Sequence, residues 1–208
     1  MEYYLLREKF CELSGRYDLI NPDKTDNGAD FYINAGQRHL DRLQNTGSMQ
    51  AKSVQLVTAG TIKVYCAGLR AVHRVWIGST SIGLVELLKV DLAWLKENYA
   101  EQLGDADQGQ PYYYAPAMFR PFPDSSTSTG LAGYYDIDDL ILHAATPNHY
   151  TYSGIVIMPP PDGSYYVSIL GTFYSPELSA TLLGTTWTQT KSFWTENHPD
   201  ILITAALY

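Results

Sequence analysis

The spacing of apolar residues changes period twice along this chain, from helical to alternating and back, so its fold must suit helices at both ends and strands between. Tyr3, Leu6, Phe10 and Leu13 recur at helical spacing, with Glu8, Lys9 and Glu12 largely off that face, and Gly15 supplies a stop. After the polar segment NPDKTDNG a second helix is predicted over roughly 28–44. Its buried stripe would hold Phe31, Ile33, Ala35, Gly36, Leu40 and Leu43, with Asn45, Thr46 and Gly47 ending it. A loop of about a dozen residues lets the two helices pack antiparallel. Gly36 leaves room for another backbone to come close.

From about residue 51 the period becomes two. Val54 and Leu56, then Ile62, Val64 and Cys66, alternate with polar neighbours on either side of TAGT, which reads as a hairpin. AVHRVWI (71–77) is a further strand. DLAWLKENYAEQLG reads as an isolated helix, with Asp91 as N-cap, Leu92, Leu95 and Tyr99 on one face, and Gly104 as exit. Strand character returns in PYYYAPAMFRPF (111–122), where Pro111, Pro116 and Pro121 hold the segment at a sheet edge or in short pieces. PDSSTSTGLAG (123–133) reads as a polar loop. Two strands follow, about 154–158 and 164–174, joined by a proline-rich turn ending in Asp162-Gly163. Pro176 and Glu177 then open a short helix closed by Gly184.

In the last stretch, WTENHPDILITAALY, His198 reads as N-cap and Pro199 as the first helical residue, with Asp200 placed to suit the helix dipole. Ile201, Leu202, Ala205 and Leu207 form an apolar run with no glycine exit and no basic last turn. Such a helix is buried either by a neighbouring molecule or by residues 2–14 of its own chain. The expected class is α+β: a helical part from residues 1–50 and 176–208, and an inserted antiparallel β-rich domain over 51–175 with one helix near 91–103.

Only 17% of residues are charged, below the ~25% ordinary for soluble domains, and 17 are tyrosines against six phenylalanines. Tyrosine tolerates half-buried places such as subunit interfaces, and aromatics also favour strands. A net charge of −8 argues against a surface that grips phosphates. Cys11 and Cys66 fit no metal or redox spacing, which points to two plain thiols in a reducing compartment. MEYYLLREKF carries acid and base without a signal-peptide core, and no apolar run approaches the ~18 residues of a membrane span. The expectation is a soluble protein made inside the cell.

Reactive sets are scarce. Asp23, Thr25, Asn27 and Gly28 match the start of a calcium loop, but its twelfth position is Asn34 in place of a bidentate glutamate, so a polar turn before a helix is expected. Asp105 with Asp107, and Asp136, Asp138 and Asp139, could supply the paired carboxylates of a glycan hydrolase, but neighbouring aspartates in a loop are usually a solvated face, which is the reading expected here. His39, His73, His143, His149 and His198 stand in no metal-ligand frame, and GSTSIG (78–83) lacks the frame of a nucleophile elbow.

Taken in order, several stretches resemble the portal-to-tail adaptor proteins of tailed phages, also called head completion or head–tail connector proteins. LREKFCELSGRYDLIN and FYINAGQRHLDRLQ resemble the family's first two helices, GQPYYYAPAMFRPFP its short β segment, and IVIMPPPDGSYYVSILGTFYSPELS its core hairpin. WTENHPDILITAALY resembles the start of the family's long C-terminal helix, whereas 123–133 and 134–152 look longer than the family's pattern.

The resemblance implies a structural virion protein at the head–tail junction, with no catalysis and no cofactor. It would form a ring, commonly of about twelve copies, between the portal protein and a tail or nozzle protein, with genomic DNA passing through the lumen unbound. The C-terminal segment would reach the portal, making Leu202, Leu207 and Tyr208 contact candidates. Tyr112, Tyr113 and Tyr114 are candidates for subunit or tail contacts. Removing residues 199–208 is expected to abolish docking and leave the β domain folded. The rival is a β-rich carbohydrate-binding module that stacks sugars on PYYYAP and NHYTY, and a cell-wall glycan hydrolase is the third reading.

Overall fold

A computed structural model describes residues 1–43, 50–99, 108–119 and 152–208. Its architecture is α+β, with helices at both chain ends and a central β region. The chain divides into two compact units, Met1–Gln50 with Phe173–Tyr208, and Ala51–Thr172.

In the first unit, α1 (Tyr3–Ser14) ends at Gly15, whose φ of +68° is the left-handed conformation that a helix exit asks for. Its buried face is Tyr3, Leu6, Arg7, Phe10 and Cys11, whereas Leu13 is exposed. In α2 (Ala29–Leu43) the buried stripe is Ala29, Ile33, Gly36, Gln37 and Asp41. The predicted stripe was therefore rotated: Ile33, Gly36 and the partly buried Leu40 face the core, but Phe31, Ala35 and Leu43 do not. Polar Gln37 and Asp41 take the inward places because donors and acceptors wait for them there. Asn45, Thr46 and Gly47 lie outside the described residues.

The helix predicted after Pro176 is absent. Instead β9 (Ala180–Leu183) and β10 (Thr186–Gln189) form a hairpin with Leu183 opposite Thr186. Gly184, read as a helix exit, has φ +64° in that two-residue turn. A short helix α4 (Phe193–Asn197) follows, started by a capping box in which the Ser192 and Thr195 side chains each bond the other's backbone N–H. The last helix, α5 (Pro199–Leu207), begins at the predicted proline and packs on α2 and α1. Its apolar inner face is buried by its own chain: Leu202 and Ile203 join Tyr3, Leu6, Phe10, Ile33, Leu178 and Trp194 in one core.

Among the described residues, the second unit is built on two four-stranded sheets. One runs β1 (Gln50–Val57), β8 (Tyr165–Phe173), β3 (Leu69–Ser79), β4 (Gly83–Glu86). The other runs β2 (Lys63–Tyr65), β7 (Tyr152–Met158), β6 (Tyr113–Phe119), β5 (Leu88–Lys89). Both predicted hairpins contain real strands, but neither pairs internally. β1 and β2 belong to different sheets, and so do β7 and β8. Each turn is a corner from one sheet to the other, and Gly60 N–H donates to the Pro161 carbonyl at 2.8 Å, joining the two corners. In β1 the half-buried positions are Ser53 and Gln55, while Val54 and Leu56 are exposed. The Gln55 amide turns in to donate to the Tyr65 carbonyl at 2.7 Å.

Ile155, Val156, Ile157 and Met158 of β7 are all buried, so this sheet is covered on both faces. Leu95 of α3 (Leu92–Tyr99) packs on one face with Ala115, Ala117, Val156 and Met158. β6 lies between β7 and β5 and is no edge strand. Pro116 is accommodated because two-residue β5 pairs only at Tyr113 and Tyr114, leaving the proline beyond its reach. GSTSIG forms the β3–β4 turn, with Ser79 opposite Gly83.

Candidate functional site

Two buried polar networks hold the helical unit together and so fix its surface. Arg7, fully buried, donates from Nε and Nη2 to the two Asp30 carboxylate oxygens at 2.8 and 2.9 Å, and also to the carbonyls of Lys24 and Ala180. The Tyr3 hydroxyl donates to the same carboxylate at 2.8 Å. Burial, and then the negative charge of Asp30, push the Tyr3 phenol well above its ordinary value. One side chain thereby joins α1, the loop before α2, α2 itself and β9.

The second network centres on Asp41, which accepts from Ser175 N–H at 2.7 Å, Ser175 Oγ at 3.0 Å and Trp194 Nε1 at 2.7 Å. One turn back on α2, Gln37 donates to the Pro176 carbonyl and accepts from Ser192 Oγ. Asn34 both donates to and accepts from the backbone of Leu178. Three polar residues at helical spacing thus dock the irregular segment 174–179 along α2. Sequence reading missed them because polar side chains are assigned to the surface by default. Their i, i+3, i+7 spacing on the face of Ile33 was the available signal.

Gly36 sets the other side of α2. A Cβ there would lie 2.7 Å from the Ala206 nitrogen and 2.8 Å from its Cα, so α5 rests directly on the α2 backbone, as the glycine predicted. Beyond this contact a groove of about 840 Å³ opens between the two helices, in the size range of a real binding cleft. It is lined by Tyr32, His39 and Leu43 of α2 and by Ile201, Thr204 and Tyr208 among others. Leu43 is 69% exposed and Ile201 49%. Phe31 is exposed beside Tyr32, their rings edge to face at 5.4 Å. The residues that the rotated stripe left outside, with the outer face of α5, therefore form one apolar surface that this unit does not cover.

The site candidates fall on both sides of this division. Tyr208 lines the groove, and Leu207 and Tyr208 are exposed. Leu202 is 0% exposed in the unit's own core, so its side chain faces no partner. Deleting 199–208 would also remove Leu202 and Ile203 from that core, so the truncation would disrupt the helical unit as well as any docking surface. The three tyrosines differ in environment: Tyr112 is exposed, Tyr113 packs on Trp94 with ring centroids 5.0 Å apart, and Tyr114 is buried. Burial of the Tyr114 side chain in its own unit removes it as a contact candidate.

The polar turn before α2 uses its oxygens internally. Asp23 accepts from both N–H and Oγ of Thr25, Asn27 donates to the Asp18 carbonyl, and Asp26 accepts from the first-turn N–H of Asp30 at 2.9 Å. Among the described residues no three His, Cys, Asp or Glu side chains come together as a metal set. His73 Nε2 bonds Thr172 Oγ1, His198 packs on the Phe193 ring, and His39 lines the groove. Asp105, Asp107, Asp136, Asp138, Asp139, His143, His149 and the NHYTY stretch lie outside the described residues. No described helix is long and apolar enough to cross a membrane. No known protein family matches the chain, and no curated protein matches its sequence.

Proposed function

We propose that this protein is a structural adaptor that works by assembly: a ring of copies joining the portal vertex of a capsid to the tail, its lumen continuing the DNA channel. The observation that carries this reading is the uncovered apolar surface on α2 and α5, set on a helical unit that its buried polar networks hold firmly. An uncovered apolar surface of this kind marks a binding site, and an interface core is built from aromatic and aliphatic side chains such as these. A net charge of −8 suits a channel through which DNA passes without sticking. The resemblance of the segments quoted above to portal-to-tail adaptors gives the assembly its place, and Leu207 and Tyr208 remain the portal-contact candidates.

The test is capture of the purified chain by immobilised portal protein of the same virus. Wild type should be retained, and Leu207→Glu combined with Tyr208→Glu should be lost to the wash with its circular dichroism unchanged. Wild-type chain that washes straight through counts against the adaptor. A glycan screen that then finds a ligand would give the protein to the carbohydrate-binding class.

A further inference from the structure

The assembly reading leaves open what fills the α2–α5 groove, and the same helical unit carries a candidate occupant. The β9–β10 hairpin ends in Leu183, 64% exposed at the tip. The hairpin is anchored at its base: Ala180 is buried, Thr190 N–H donates to the Ser179 carbonyl at 2.9 Å, and the Trp187 ring stacks on Tyr4 with centroids 4.8 Å apart and planes 6° from parallel. None of its residues, ATLLGTTWTQ, is charged.

We propose that the hairpin tip of one copy seats in the α2–α5 groove of the next, with Leu183 against Leu43 and Ile201. The two surfaces match chemically. Among its side chains the groove's lining offers one carboxylate, Asp200, no lysine or arginine, and otherwise aromatic, aliphatic, small and hydroxyl groups with His39. An acidic tip would lose hydration there and meet the like charge of Asp200, and a basic one would find that single carboxylate, whereas an uncharged tip ending in leucine loses little. They match in size as well. From Tyr32 to Leu43 the α2 wall runs about 16 Å, and the two strands of a hairpin stand only ~5 Å apart. Tip and groove are different patches of one chain, so the contact is heterologous and repeats from copy to copy, the arrangement that closes a ring.

The experiment is light scattering on the full chain and two variants, Leu183→Glu at the tip and Ile201→Glu in the groove, with Leu43→Glu as a second groove variant should Ile201→Glu unfold. Wild type should grow in mass with concentration, and each variant should weaken self-association roughly thirtyfold or more, the scale of an interface hot spot. Mixing tip and groove variants should give a species of twice the chain's 23.3 kDa and nothing larger, because one intact tip and one intact groove remain. Variants that assemble like wild type overturn the tip-to-groove contact and leave the ring reading standing. Wild type that stays monomeric at every concentration also overturns it. If it stays monomeric with portal protein present too, the ring falls with it.

Discussion

Arg7 has no exposure to water, so its charge is balanced by the Asp30 carboxylate, by Asp26 at 3.9 Å and by two backbone carbonyls. Asp30→Ala should therefore cost about 3–5 kcal/mol, because it removes both short carboxylate bonds and leaves Asp26, 3.9 Å away, as the one carboxylate against a buried guanidinium. Chemical denaturation followed by helix signal reads this directly, and a loss under about 1 kcal/mol would mean the pair is solvated. The Tyr3 phenol gives the same site a pH dependence. Its folded value is raised, so the stability it contributes is fully present below 10.0, the ordinary value, and is lost as pH climbs towards the folded value. Tyr3→Phe should flatten the alkaline decline of the melting temperature and, having lost one hydrogen bond, cost about 1 kcal/mol at neutral pH.

At the scale of elements, Gly36 is the informative position. Alanine normally favours a helix over glycine by about 1 kcal/mol. Here its Cβ would press on the Ala206 backbone, so Gly36→Ala should destabilise by about 1–3 kcal/mol, measured by thermal unfolding. A stabilised variant would show that α5 does not rest on α2. The close approach was readable in the sequence, as were the helix start at Pro199, the exit at Gly15 and the positions of most strands. Strand pairing was not readable, because alternation says which residues turn inward and nothing about which strand lies alongside; β7 and β8 sit one proline turn apart and still join different sheets. Gly184 was ambiguous for a related reason, since a helix exit and a hairpin turn both require positive φ. The groove was invisible because it depends on Gln37 and Asp41 pointing inward, which turns Leu43 and Phe31 out.

For the whole molecule, the apolar character of the groove predicts how assembly responds to salt. Exposed ion pairs weaken as salt screens them, whereas burial of apolar surface strengthens in excluded salts. Self-association should thus be unmoved by sodium chloride and tightened by ammonium sulfate, as sedimentation equilibrium would record. Loss of assembly in sodium chloride would place charged pairs at the interface instead. The adaptor itself is tested most directly by the mass of a mixture. Portal protein and this chain, combined and passed over a sizing column with light scattering, should elute as one species heavier than the portal ring by about twelve chains. Two peaks at the unmixed masses would contradict an adaptor.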